Sequence, residues 1–306
     1  MGTYLERHTW SRKEKTNARL VARGFQDPDL QTLRTEAPTL ARHSRHFICQ
    51  ILSSPKWNLE NGDVKTAFLQ SEKEEGSREV YVQPTEGAAS ISGMRDDQVM
   101  KLEGSVYGLI VAPRRWHFRE QKDTAGKDWR QHQLVPCLYM TYSKPDKLIA
   151  ICGVYVDDFT MGFSPCVEGQ SCKSEPQSLY TWGSWDTNSS NLCGVQYTQK
   201  SDYSIHLTQK EHVDAIKLAP ARRITKSTQK QLDPSDVKIL RGVQGEIQCL
   251  ATNTRPDLAA GVSISAGNVN KAEITDLQHA NKPVKTAKAD SDIPIIFNRI
   301  PVEDVR

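Results

Sequence analysis

Cysteine pairs at metal-binding spacing are missing from this 306-residue sequence: its seven cysteines include no CxxC. An odd number of scattered thiols argues against a disulfide scaffold and fits a reducing compartment. Cys166 and Cys172, with His206 and His212 downstream, match no common zinc-finger spacing. Long apolar stretches are missing too. The longest, residues 148–156 (LIAICGVYV), falls far short of the roughly 20 residues a membrane helix needs. The N-terminal MGTYLERHTWSRKEK lacks the apolar core of a signal peptide. These absences point to a soluble, intracellular protein without membrane contact. No internal repeat is visible.

Charge of either sign is not in large excess, with 40 Lys and Arg against 37 Asp and Glu. The excess is local: residues 1–50 hold nine basic side chains against five acidic ones. A basic N-terminal lobe fits contact with nucleic acid, and a solvated charged face explains it equally well. Six Trp, nine Tyr and seven Phe supply anchors for a core, which argues against wholesale disorder. The length suits about two domains.

Local patterns predict a strand over residues 18–25 (ARLVARGF), a helix over 44–52 ended by Pro55, and a strand over 57–63 leading into a helical turn at 64–70. A charged loop at 71–79, a strand at 80–83 and a second loop at 84–97 follow. A helix is predicted over 114–127, opening straight after Pro113. Strands are predicted at 138–142 and 147–156, with a return strand from Thr160. Residues 164–191, rich in Ser, Gly, Pro, Cys and Asn, read as a long irregular segment. Residues 222–236 read as an interdomain linker. Residues 238–267 recover a helical pattern interrupted at Arg255–Pro256.

The chemistry concentrates in IAICGVYVDDFTMGF, residues 149–163. Asp157 and Asp158 follow a strand that is apolar on both faces, as a buried central strand would be. A bare pair of acids is most often a polar turn. Two carboxylates held close at the end of a buried strand repel, however, and both stay ionised comfortably only with a cation between them. Mg²⁺ meets that need through oxygen ligands shared with substrate phosphates. A third acid, Asp63 in NGDVKTAFL, closes another strand 157 − 63 = 94 residues upstream. Two strand ends meeting side by side would present all three acids to a metal pair about 3.5–4 Å apart. Between them, KLEGSVYGLIVAPRRW must turn at Gly108 and open a helix at Pro113.

The order ARLVARGF, DVKTAFL, VYGLIVAPRRW, YVDD resembles the reverse transcriptase of copia-type long-terminal-repeat retrotransposons. VYVQP, LCGVQYTQ, IHLTQKEHVDAI and CLATNTRPDLAAGVS agree, so that the resemblance covers roughly residues 12–290. It implies an α+β right-hand polymerase fold, with a palm of antiparallel sheet backed by helices, fingers, and a partial helical thumb and connection. The implied boundaries are fingers at 1–57, a palm strand with the first acid at 58–70, returning fingers at 71–103, palm at 104–204, and thumb with truncated connection at 205–306.

The resemblance further implies that Asp63, Asp157 and Asp158 hold two Mg²⁺ ions, or Mn²⁺, with Val64 lending a backbone carbonyl. Phe68 resembles the steric gate that rejects a 2′-hydroxyl. Tyr107, Gly108, Ala112 and Pro113 match the motif flanking the incoming nucleotide and template, and Tyr155 would lie against the primer end. Arg19, with Arg23 as the alternative, resembles the group that grips the triphosphate. Leu192, Cys193, Gly194 and Val195 resemble the primer-grip hairpin. Each has a plainer reading: Phe68 as core, the arginines as a solvated strand face. The implied partners are an RNA or DNA template with its primer, deoxynucleoside triphosphates and other segments of a Pol polyprotein, in a cytoplasmic particle or the nucleus.

Departures from the family pattern are Ile110 and Val111, where polar residues are usual, Asn17 in place of Lys, the irregular 164–191 segment, and Pro283 interrupting a helix near 281–288. Ribonuclease H, integrase and protease segments are expected to be absent, making the chain a polyprotein fragment or a domesticated remnant. The rival readings are an inactive relic that at most binds nucleic acid, and a metal-dependent nuclease built on the same acids.

Overall fold

The computed structural model of the chain describes residues 3–8, 17–71, 78–85, 87, 93–95, 97–125, 128–144, 146–220, 231–267 and 269–301. Most of the charged 71–79 loop, part of the 84–97 loop and the 222–230 part of the expected linker lie outside the described residues. The chain forms two compact units: Met1–Ile48 with Asn61–Trp185, and Cys49–Glu60 with Asp186–Arg306.

In the first unit, β3 (Glu60–Val64), β6 (Arg130–Gln131), β7 (Leu138–Ser143), β8 (Lys147–Tyr155), β9 (Asp158–Phe163) and β10 (Trp182–Thr187) form a six-stranded sheet ordered β10-β3-β9-β8-β7-β6. Strands β6 to β9 run as an antiparallel meander. The central strand β8 carries no polar side chain between Leu148 and Val154, and Ile149 to Val154 are buried without a break. That is the mark of a strand covered on both faces. Helix α3 (Ala112–Ala125) adds Trp116 to this core, and α4 (Val167–Leu179) adds Cys172. Two small antiparallel ribbons, β1 (Thr3–His8) with β2 (Asn17–Ala22) and β4 (Tyr81–Val82) with β5 (Met100–Lys101), are the other strands of the unit among the described residues. Helix α1 (Arg42–Ser53) and the short α2 (Ala67–Gln70) flank β3 in the chain.

The second unit has its own antiparallel sheet, β11 (Ser189–Leu192), β12 (Val195–Gln199), β13 (Ile205–Thr208) and β14 (Ile295–Phe297), in that order. Its helices are α5 (Lys210–Ala215), α6 (Pro234–Asn253), α7 (Ala259–Ala266), α8 (Ile274–His279) and α9 (Asn281–Ala289). They close around a separate core of Leu240, Ile247, Leu250, Leu277, Val284 and Ala287. The architecture is mixed α and β with antiparallel sheets. Among the described residues no helix is long and apolar enough to cross a membrane.

Three expectations are corrected. Residues 164–191 are ordered, supplying α4, edge strand β10 and the start of β11. Composition misleads here because packing overrides weak helix propensity: Gly169, Cys172 and Pro176 are all buried, and Cys166 caps the helix by accepting from Gly169 N. Pro283 does not interrupt a helix. Helix α9 runs Asn281–Ala289, and Pro283 falls in its first turn, where a missing N–H removes no intrahelical bond. Helix α6 starts at Pro234, inside the stretch read as linker, because Asp233 is its N-cap and accepts from Asp236 N at 2.9 Å. Asp233→Ala is expected to lower the stability of the second unit by about 1 kcal/mol in chemical denaturation.

Candidate active site

The tip of the β8–β9 hairpin is a two-residue loop. Tyr155 and Asp158 pair across it, leaving Val156 and Asp157 to make the turn. Val156 takes a φ of 59°, a conformation that a β-branched side chain resists. Such strain, on the order of 1–3 kcal/mol, persists only where surroundings over-determine it. Two hydrogen bonds do so. Trp116 Nε1, one turn into α3, donates to Val156 O at 2.6 Å. Val64 N donates to Asp157 O at 2.8 Å.

The second of these bonds also assembles the site. Val64 directly follows Asp63, so the end of β3 is fastened to the hairpin tip. Asp63, Asp157 and Asp158 each offer a carboxylate oxygen within 4.8 Å of the others, with Asp63 the most exposed of the three. Burial, then the charges of Asp157 and Asp63, push the Asp158 carboxyl up to about 7, and Arg45 opposes the shift. Three crowded oxygen donors, one of them reluctant to ionise alone, fit a hard divalent cation such as Mg²⁺ or Mn²⁺.

Edge strand β10 contributes a residue that the motifs did not mark. A Cβ added at Gly183 would lie 2.6 Å from Asp63 Oδ2, so only glycine leaves that carboxylate its place. Beside it, Trp182 packs edge-on against Phe159, at 5.2 Å between ring centroids. The WGSW stretch was visible in the sequence, but nothing local said that its glycine would face Asp63.

A second cluster forms around the Tyr107–Gly108 turn. Gly108 has a φ of +79°, and a Cβ there would come within 2.1 Å of Ala22 O. Ala22 N donates to Tyr107 O at 2.8 Å, which fastens the end of β2 to this turn and brings exposed Arg23 beside it. Phe68 is half-buried, with its ring edge-on to Tyr107 at 5.6 Å. Ala112 is buried and opens α3, with half-buried Pro113 in the first turn. Val111 is buried with Leu109 and Val80, and Ile110 packs on that cluster, so both apolar departures serve as core here. Arg19 lies in β2 opposite Glu6, and its side chain lies outside the described part.

Residues 3–227, which carry both clusters, match the reverse transcriptase (RNA-dependent DNA polymerase) family. The chain belongs to this family. Over 142 residues it is 32% identical to the retrovirus-related Pol polyprotein from transposon TNT 1-94 of Nicotiana tabacum. That match takes in 46% of this chain and 10% of the polyprotein, so this reverse transcriptase chain aligns with only a small part of that relative.

The remaining expected element of the reverse transcriptase, Leu192 to Val195, belongs to the second unit. Leu192 and Val195 pair and are both buried, while Cys193 and Gly194 form a two-residue loop with φ of 50° and 73°. That is the twist a tight hairpin requires. The Cys and His residues weighed as zinc ligands form no such group: among the described residues, the three acids are the one cluster able to hold a metal.

Two outcomes are expected. Because folding raises the Asp158 pKa, the folded state holds that proton more tightly than the unfolded chain. The associated stability is complete below the ordinary carboxylate range, near 3.8, and is lost as pH rises through about 7. Asp158→Asn mimics the protonated form. Without metal, thermal or chemical denaturation should find it equal to the parent near about pH 4. At about pH 8 it should be more stable, on the order of 1–2 kcal/mol after solvent screening. Gly183→Ala should displace Asp63 rather than the backbone. Mn²⁺ affinity is expected to fall about tenfold while the melting temperature moves by no more than a few degrees.

Proposed function

We propose that this reverse transcriptase domain synthesises DNA on an RNA template, extending a primer 3′-hydroxyl by two-metal nucleotidyl transfer. The observation that carries the reading is the meeting of Asp63, Asp157 and Asp158 oxygens within 4.8 Å. In this reading the six-stranded sheet and its helices are the palm of a right-hand polymerase. The fingers come from residues 1–57 and 71–103, and the thumb with part of a connection from 205–306.

Asp63, Asp157 and Asp158 would hold two Mg²⁺ ions, with Val64 lending its carbonyl; when bound, these activate the primer hydroxyl and neutralise the leaving pyrophosphate. The protein's own contribution is positional and electrostatic. The half-buried turn around Val156, held by two hydrogen bonds, keeps the acids where charge develops. Phe68 sits under the sugar and rejects a 2′-hydroxyl, backed by Tyr107. Gly108, Ala112 and Pro113 shape the turn and helix start that flank the nucleotide and template base, Gly108 through a positive φ that favours glycine. Arg23 or Arg19 grips the triphosphate, Tyr155 supports the primer end, and Leu192, Cys193, Gly194 and Val195 support the primer strand. Partners are primer–template, deoxynucleoside triphosphates and other Pol segments.

A second reading, an inactive relic that only binds nucleic acid, is favoured by Ile110 and Val111, which offer no polar group to template or nucleotide. Primer extension on an RNA template with Mg²⁺ separates the two. The parent is expected to extend the primer, and Asp157→Asn to lose several orders of magnitude in rate while still binding primer–template. A parent no more active than Asp157→Asn rejects the polymerase and leaves the relic.

A further inference from the structure

Arg45, in α1, is only 7% exposed, yet its Nε and Nη1 donors have no hydrogen-bond partner among the described residues. Buried guanidinium donors without acceptors are costly, so the surroundings must offset the charge. One offset is aromatic. The guanidinium carbon lies 5.1 Å from the centroid of the Tyr155 ring, within cation–π range. The other is the field of the acids. Tyr155 is the direct cross-strand partner of Asp158, so a cation stacked on Tyr155 is one side chain away from the carboxylate cluster.

The placement has a chemical logic. An arginine bonded directly to the acids would occupy the oxygens a metal needs. Stacked on Tyr155, it acts on them through its field. His46, the next residue, adds no charge near neutrality, because burial with Arg42, Arg45 and His43 nearby pushes its ring down to about 4. The permanent charges of this turn are those of Arg42 and Arg45, and Arg45 is the one stacked on Tyr155.

We infer that Arg45 is a built-in counter-cation of the carboxylate site: it partly neutralises Asp63, Asp157 and Asp158 before a divalent ion arrives, and it weakens that ion's binding by repulsion. It is a positioning residue, and the inference rests on the metal-binding reading above. Its electrostatic sign sets it apart from a structural role. Loss of a structural support would weaken metal binding, whereas loss of a like charge tightens it.

The test is Mn²⁺ binding to the full chain, followed by electron paramagnetic resonance at about pH 8 and low salt. Arg45→Met is expected to bind Mn²⁺ about tenfold more tightly than the parent, with the gain shrinking as salt is added. Arg45→Lys, which keeps the charge, should stay within about twofold of the parent. Arg45→Gln must show the same tightening as Arg45→Met, so a misfolded Met variant, detected by circular dichroism, does not remove the test. Equal or weaker affinity in the folded neutral variants, with parent binding intact, overturns the role of Arg45 and leaves the metal site standing. A parent that binds Mn²⁺ no better than Asp157→Asn overturns the metal site itself, and this inference with it.

Discussion

The backbone hydrogen bond from Val64 N to Asp157 O joins the end of β3 to the tip of the β8–β9 hairpin, and the rest of the site is organised by it. It fixes the residue after Asp63 against the residue before Asp158, so the backbones of all three acids are brought together. It also helps hold Val156 in a left-handed conformation that valine does not choose. Trp116 supplies the second restraint from α3, which begins at the Ala112–Pro113 step. The helix that opens beside the Tyr107–Gly108 turn is thus also the helix that braces the β8–β9 hairpin.

Crowding three carboxylates in a half-buried pocket sets the electrostatic problem that the surrounding residues address. Burial and mutual repulsion raise Asp158, and the raised pKa means the empty site is less stable as it ionises. Gly183 relieves the steric side of the problem by leaving room for Asp63 at the sheet edge. Arg45 relieves the electrostatic side from beneath Tyr155. A divalent cation would complete the neutralisation, and oxygen-only donors suit the hard ions that phosphate chemistry uses.

Much of this was legible in the chain itself. An apolar run ended by Asp157–Asp158, a strand ended by Asp63, and a small-residue turn before Pro113 are local patterns, and they form where local preference and burial agree. The tight loop at Cys193–Gly194 is likewise a local event. The 164–191 segment failed because its Ser, Gly, Cys and Pro suggest irregular chain, whereas buried Cys172 and Pro176 hold a helix together by packing. Residues 222–236 failed for a different reason. A polar run masked the Asp233–Pro234 start signal, a cap followed by proline at the first helical position.

By itself the sequence determined the residue types and their local geometry: where strands end, where turns must bend, and which side chains can hold a hard cation. Those properties follow from short-range sterics and side-chain chemistry, which neighbouring residues carry. Only the tertiary structure decided that an acid 94 positions away (157 − 63 = 94) joins the doublet, that Gly183 faces Asp63, and that Arg45 stacks on Tyr155. Strand order and burial are set by how the whole core closes, and the protonation of Asp158 depends on both. No spacing rule along the chain encodes them.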